Sequence, residues 1–135
     1  MNNISIKKGM SEYMDVKDNT TIAFGLILHA GDARSKAMEA VYLSREGHTE
    51  EALSLLDEAR EDLHLAHQSH TALLTAEANG EQYDLSILMV HAQDHLAMAI
   101  SAIDNAEELI RLYSLVNRLL GNAHPEDNLT EGANR

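Results

Sequence analysis

Two histidines and one carboxylate occur together in an apolar segment, Val90–Ile100, with the sequence VHAQDHLAMAI. His95 follows His91 by four residues, and Asp94 follows it by three, so a helix would carry all three on one side. Neutral imidazole is a good nucleophile near pH 7 and can be phosphorylated transiently. The spacing therefore predicts a site at which His91 reacts, whereas the alternative is a hydrogen-bonded histidine on a helix.

The neighbours of His91 have different predicted roles. The Asp94 carboxylate lies among apolar residues and needs a partner there, either a divalent cation such as Mg²⁺ or Ca²⁺, with a transition metal not excluded, or a Lys or Arg at the rim. His95 is placed to orient the His91 imidazole or to contact a phosphoryl group. Gln93 lies on a different side of the helix from Asp94, and geometry alone gives it no firm role.

A second group of histidines, His64, His67 and His70, is spaced by three residues. This spacing drifts around a helix, so the three side chains do not converge on one metal ion and exposed positions are the better interpretation. If the following turn centres near Glu81, an antiparallel hairpin brings His67 near the level of Asp94 and His95. One or two of these histidines could then line the same pocket.

Composition limits the class of protein. The chain has 135 residues, 44% of them hydrophobic and 4% aromatic, with a formal net charge of −12 and no cysteine. The charge disfavours nucleic acid and anionic membranes as partners, and without cysteine no disulfide or cysteine nucleophile is possible. The first residues lack an apolar signal segment, and no apolar run approaches the ~20 residues of a membrane span. We therefore expect a cytoplasmic protein without membrane insertion.

Helix start and stop signals divide the chain into three long helices. Residues 1–18 are polar and predict a flexible arm, residues 19–121 the folded domain, and residues 122–135 a disordered tail. The predicted helices run from Thr20 or Thr21 to before Gly47, from His48 or Thr49 to Asn79-Gly80, and from about Tyr83 to about Leu120. Short connections between them predict an all-α, up-down-up antiparallel three-helix bundle.

Two features of these helices need an explanation beyond a monomeric bundle. The third helix is apolar almost all the way round between Leu85 and Ile103, although a surface helix needs only one apolar stripe. We therefore expect other copies of the chain to cover it in a closed homo-oligomer. In the first helix Gly31 costs roughly 1 kcal/mol, which indicates close packing or a functional contact.

Three segments together resemble the IIA component of the lactose/cellobiose (N,N′-diacetylchitobiose) class of the bacterial sugar phosphotransferase system. They are AGDARSKAMEA (Ala30–Ala40), the Ala-His pair within LAHQSHT (Leu65–Thr71), and VHAQDHL (Val90–Leu96), and the resemblance covers roughly residues 20–120. The family often has Met directly after this last segment, where the chain has Ala97 and then Met98.

The resemblance implies a homotrimer of three-helix bundles that carries a phosphoryl group. It implies that His91 accepts the group from phospho-HPr and passes it to a cysteine of the cognate IIB component, with His95 beside it. It also implies that Asp94 binds one metal ion jointly with its two symmetry mates, and we expect Mg²⁺. We also predict a supporting role for Gln93 at this site.

Two other classes of function are alternatives. One is a histidine phosphotransfer module of two-component signalling, although such modules are usually four-helix bundles and this chain predicts three long helices. The other is a non-catalytic, metal-bound helical scaffold. The transported sugar is not predicted by this chain.

Overall fold

The fold is a bundle of three α-helices. The structure, a computed structural model, describes the backbone of residues 3–83 and 85–121 and the side chains of residues 19–83 and 85–121. The helices are α1 (Asn3–Arg45), α2 (Thr49–Ala78) and α3 (Ile87–Leu119), and these described residues contain no β-strand. The predicted all-α three-helix architecture is confirmed. No helix in the described part of the chain is long and apolar enough to cross a membrane.

The connections between helices follow from local residue chemistry. Gly47 and Gly80 have φ values of 96° and 92°, a left-handed conformation that glycine adopts without the penalty of a Cβ atom. Ser86 caps α3, because its side chain accepts a hydrogen bond from the backbone N–H of Met89. This cap fixes the start of α3 at Ile87, so the predicted start near Tyr83 is four residues too early.

The predicted start of the first helix near Thr20 or Thr21 is also wrong, because α1 begins at Asn3. The earlier residues include many Lys, Met and Glu side chains with good helix propensity, and one interior glycine, Gly9, weakens a helix without ending it. A helical backbone therefore runs through most of the predicted flexible arm. The domain boundary at residue 19 stays a prediction, and the predicted disordered tail, 122–135, lies outside the described residues.

The core forms chiefly on α1, which packs extensively against both other helices, whereas α2 and α3 contact each other less. Small side chains dominate the buried face of α1, and they let neighbouring helices approach closely. These fully buried alanines are Ala23, Ala30, Ala33, Ala37 and Ala40. Larger side chains fill the remaining space, chiefly Leu26, Leu56 and Ile110.

Polar contacts fix the alignment of α1 and α3. The Ser44 hydroxyl donates to the carbonyl of Ile110 at 3.4 Å, and the Asn117 amide donates to the carbonyl of Ser44 at 3.0 Å. The C-terminal parts of α1 and α3 therefore lie side by side, and the two helices run parallel.

Ion pairs connect α2 to the other two helices. Lys36 on α1 pairs with Asp62 at 2.8 Å, and Arg60 on α2 pairs with Glu107 on α3 at 2.7 Å. The hydrogen bond to Asp62 raises the pKa of Lys36. Because only short connections separate Arg45 from Thr49 and Ala78 from Ile87, the chain reverses at each end of α2, and this helix runs antiparallel to its neighbours.

Candidate functional site

The two histidines of the candidate site contact each other near the N-terminal end of α3. Because the Ser86 cap starts the helix at Ile87, His91 and His95 lie one turn apart on its surface. Their Nε2 atoms are 3.2 Å apart, and the rings meet edge to face with centroids separated by 4.6 Å. One Nε2 must donate to the other, so the contact couples the tautomers of the two rings.

The exposure of the two rings differs in the way that group transfer requires. His91 is exposed, whereas His95 is half-buried. A bulky partner can therefore approach the His91 ring, while packing holds the His95 ring beside it. The predicted roles of His91 as the reacting group and His95 as its neighbour fit this arrangement.

Asp94 is exposed on the outward face of α3. Among the described residues none forms an ion pair or a hydrogen bond with its carboxylate, so the Lys or Arg at the rim that the sequence left open does not occur there. Exposed apolar side chains, Val90 and Met98, lie one turn to either side. The result is an uncompensated carboxylate within an apolar stripe.

A metal ion at Asp94 would need ligands from more than one chain. In the described part of a single chain, no three His, Asp or Glu side chains cluster closely enough to hold a metal. The carboxylate is nonetheless a hard oxygen donor that no basic side chain of the described chain neutralises, and it suits a hard divalent cation. Sharing of the ion by three Asp94 residues therefore stays a prediction.

Gln93 and His70 lie together on another flank of α3. They line a cavity of about 430 Å³ near the connection between α2 and α3, with Asn19, Leu73, Tyr83 and Met89. The Gln93 side-chain amide points to the Met89 sulfur at 3.8 Å. Within one chain, Gln93 therefore belongs to the wall facing α2 rather than to the surface that carries His91.

The histidines of α2 have three different environments. His64 contacts the Gln68 amide at 3.1 Å along its own helix, His67 is exposed, and His70 faces the cavity. Hairpin geometry predicted that one or two of them line the pocket of His91; His70 instead lines the cavity with Gln93, which does not include His91, and a role of His67 or His70 beside His91 stays a prediction. The sequence did not predict the cavity, because its wall includes Asn19 on α1 and Tyr83 in a connection, and neither stands out by type or spacing.

The outward face of α3 is a long apolar stripe. Its exposed apolar side chains lie toward the two ends of the helix, with polar residues including the exposed Glu108 between them: Ile87, Val90 and Met98, then Leu112, Leu115 and Leu119. The sequence predicted a third helix apolar on several sides, and the described residues of one chain leave this side uncovered. Polar positions at Asp94, Ser101 and Asn105 interrupt the stripe, and the Asn105 amide donates to the Ser101 hydroxyl at 3.3 Å.

Gly31 does not serve close packing within the chain. A Cβ atom built there would meet no described side chain or neighbouring helix within 4 Å. The packing interpretation is therefore wrong for the described residues of a single chain. A contact with another molecule stays open.

Comparison with known proteins assigns a family to these features. Residues 21–114 match the family described as the lactose/cellobiose-specific IIA subunit of the PTS system. The chain is 45% identical over 100 residues to the lichenan-specific phosphotransferase enzyme IIA component of Bacillus subtilis, covering 74% of this chain and 91% of that protein. It is 40% identical to the lactose-specific EIIA component of Lactococcus lactis, covering 74% and 95%.

Solved structures agree with the sequence comparison. The PTS cellobiose-specific enzyme IIA from Bacillus anthracis superimposes with a TM-score of 0.72 at 42% identity, covering 73% of this chain and 90% of that one. PtcA from S. mutans gives a TM-score of 0.70 at 39% identity, covering 72% and 95%. The matched family segment contains His91, Gln93, Asp94 and His95.

Proposed function

The chain belongs to the lactose/cellobiose-specific IIA family of the sugar phosphotransferase system, and on that premise we propose that it carries a phosphoryl group on His91. The donor in this proposal is phospho-HPr, and the acceptor is a cysteine thiolate of the cognate IIB component. The observation that carries it is the exposed His91 ring held against His95 inside the matched segment. We propose that the protein is cytoplasmic and that both of its partners in the transfer are proteins.

The first step is an in-line displacement at phosphorus. A ring nitrogen of His91 attacks the phosphoryl group of the donor phosphohistidine, so the N–P bond to HPr breaks while a new N–P bond forms. If Nε2 attacks, the proton of the His91 ring stays on Nδ1. The Nε2–H of His95, 3.2 Å from the His91 Nε2 in the free protein, can then donate to a phosphoryl oxygen. This hydrogen bond would stabilise the negative charge on the oxygen and hold the phosphoryl group in position.

The second step reverses the roles. The IIB thiolate attacks phosphorus, an S–P bond forms, and the His91 imidazole leaves with its electron pair. An exposed ring suits this exchange because the donor and the acceptor must reach the same atom in turn. Gln93 would act only as a support of the helix turn, since it faces the α2 side.

We propose that three chains assemble with their α3 stripes around a threefold axis. Burying exposed apolar side chains such as Ile87, Leu112 and Leu119 is favourable by roughly 25 cal/mol per Å². The same assembly brings three copies of Asp94 together, and their repulsion would oppose it. A shared divalent cation, Mg²⁺ in our proposal, supplies the positive charge that makes this meeting favourable.

The sugar named for the transport system differs among relatives of this chain. Relatives of similar identity are named for lichenan, lactose and cellobiose. A IIA component touches its protein partners rather than the sugar, so its sequence carries little information about the substrate. The genes beside this one would identify the transporter.

A labelling experiment separates the three classes of function. The purified protein is incubated with Enzyme I, HPr and labelled phosphoenolpyruvate, and the label is then chased with a IIB protein. A phosphocarrier takes up label only when HPr is present and loses it to IIB. A two-component phosphotransfer module or a metal-bound scaffold stays unlabelled under these conditions, and that result would refute the proposal.

A further inference from the structure

Arg34 has no ion-pair partner among the residues that the structure describes. Among the described basic side chains, Lys36, Arg45, Arg60 and Arg111 each pair with a carboxylate. Arg34 is exposed and pairs with none of the described residues. Arg118, near the end of α3, is likewise exposed and unpaired among the described residues. Because acidic residues outnumber basic ones 22 to 10 in this chain, the unpaired arginine midway along α1 is available to pair with a carboxylate of another copy.

The flank of α1 on which Arg34 lies follows from Lys36. Lys36 faces α2, because it pairs with Asp62. Two residues correspond to about 200° of rotation around an α-helix, so Arg34 lies on the opposite flank of α1. That flank is the edge beside α3.

Asp104 is the corresponding carboxylate on α3, but it lies on the other flank. Glu107 faces α2 through its pair with Arg60, and Asp104 precedes it by three residues and shares that side. Asp104 is exposed and pairs with none of the described side chains. Within one chain, α3 itself separates Asp104 from Arg34.

The two side chains lie at the same height along the bundle. Ser44 contacts both Ile110 and Asn117, which fixes the alignment of α1 beside α3. Moving back about ten residues along each helix from these contacts reaches Arg34 on α1 and Asp104 on α3. The buried alanines repeat in step at the same alignment, with Ala30 and Ala37 on α1 and Ala99 and Ala106 on α3.

Rotational symmetry joins these two flanks. A threefold rotation about an axis parallel to the α3 helices keeps every residue at the same level along that axis. The interfaces between neighbouring copies are heterologous, so two different surfaces of the chain meet in each one. The α1 flank of one chain then faces the α2 flank of the next α3. We propose that Arg34 of one copy forms an ion pair with Asp104 of the neighbouring copy, three times per trimer.

The pair lies in the groove that holds the reactive histidine. Gln93 faces α2, so His91 and His95, each two residues away, lie on the α1 flank of α3. The same groove between copies therefore contains His91, and the surface of the next chain forms its second wall. The ion pair closes this groove farther along the helices and fixes the spacing of its walls.

Charge reversal tests the pair, which rests on the proposed trimer. Sedimentation equilibrium would compare the wild type with Arg34→Glu, Asp104→Arg and the double variant. Each single reversal should raise the chain concentration at half-dissociation by about tenfold, since three attractions become three repulsions, and the double variant should restore most of the loss. Asp104→Arg is the sharper variant, because it lowers the net negative charge and general repulsion alone would make the trimer tighter.

Asp32→Arg is the matched control. Asp32 is exposed and precedes Lys36 by four residues, which places it on the α2 flank of α1, and its charge change equals that of Asp104→Arg. Asp32→Arg should not raise the chain concentration at which the trimer is half dissociated. A trimer unchanged or tightened in Asp104→Arg, or a double variant no better than the worse single, would overturn the pair. A monomeric wild type would overturn the proposed assembly and the pair together, while labelling by phospho-HPr tests phosphotransfer separately.

Discussion

At the scale of single residues, the proposed chemistry depends on the contact between the His91 and His95 rings. The positions of His91, Asp94 and His95 put them on one side of a helix, and the structure places the two rings in contact with Asp94 close by on the outward face. The different exposure of the rings could not be predicted, because it depends on how α1 covers α3. The position of Gln93 in the wall of a cavity with His70 likewise follows from packing.

His95 should speed phosphorylation without being required for it. His95→Phe keeps a ring of similar size but removes the hydrogen bond to His91, and one hydrogen bond of about 1.4 kcal/mol corresponds to about a tenfold change in rate. We expect about tenfold slower labelling by phospho-HPr, measured by rapid quench, with the label still on His91. His64→Phe is the control, since His64 contacts Gln68 along its own helix, and the labelling rate of this variant should be unchanged. Equal rates for His95→Phe and the wild type would remove His95 from the mechanism.

At the scale of elements, strong local signals predicted boundaries well and weak ones did not. The bounds of α2 agree with the predicted signals, because Gly47 and Gly80, both with positive φ, terminate the helices on either side of its start and end. The start of α3 was missed because Tyr83 and Leu85 continue the apolar pattern, while the Ser86 hydrogen bond decides the boundary. The start of α1 was missed because polar residues with good helix propensity resemble an arm in composition.

The Ser86 cap should contribute measurably to stability. Ser86→Ala removes the acceptor for the Met89 N–H, which should lower the free energy of unfolding by about 1 kcal/mol. Urea denaturation followed by circular dichroism would measure it. Ser54→Ala, at an exposed position inside α2, should change the free energy little. A loss equal in both variants would show that the cap has no special role.

Two glycines should respond to alanine in opposite directions. At Gly31 a Cβ atom meets open space, so Gly31→Ala should stabilise the helix by about 0.5–1 kcal/mol. At Gly47 the φ of 96° strains any side chain, so Gly47→Ala should destabilise by about 1 kcal/mol. Thermal melts at low protein concentration would test both. Destabilisation by Gly31→Ala only where the protein is oligomeric would instead identify a close contact between chains.

At the scale of the whole molecule, the uncovered stripe of α3 is the feature that a single chain leaves unexplained. The sequence predicted excess apolar surface on this helix because residue types alone show it. The partner that covers the surface depends on another chain, and one sequence shows that only through resemblance. The proposed threefold arrangement places Asp94 on the axis and gives its carboxylate the charge partner that the described chain lacks.

Replacing Asp94 separates a shared metal from an ordinary polar surface. Asp94→Leu should keep the trimer and remove its sensitivity to EDTA, because an apolar replacement of buried charge is often neutral or stabilising. The wild-type trimer should lose thermal stability in EDTA, and elemental analysis should find about one divalent ion per three chains. A wild-type trimer that contains no ion and melts at the same temperature with and without EDTA would contradict the metal proposal.

The most direct measurement is labelling of single-histidine variants by phospho-HPr. His91→Ala should abolish the acid-labile, base-stable label, because it removes the attacking nitrogen while the helix that carries it remains. His67→Ala, His70→Ala and His124→Ala should keep the label, and peptide mapping of the wild type should find it on His91. Full labelling of a folded His91→Ala variant would contradict the central claim.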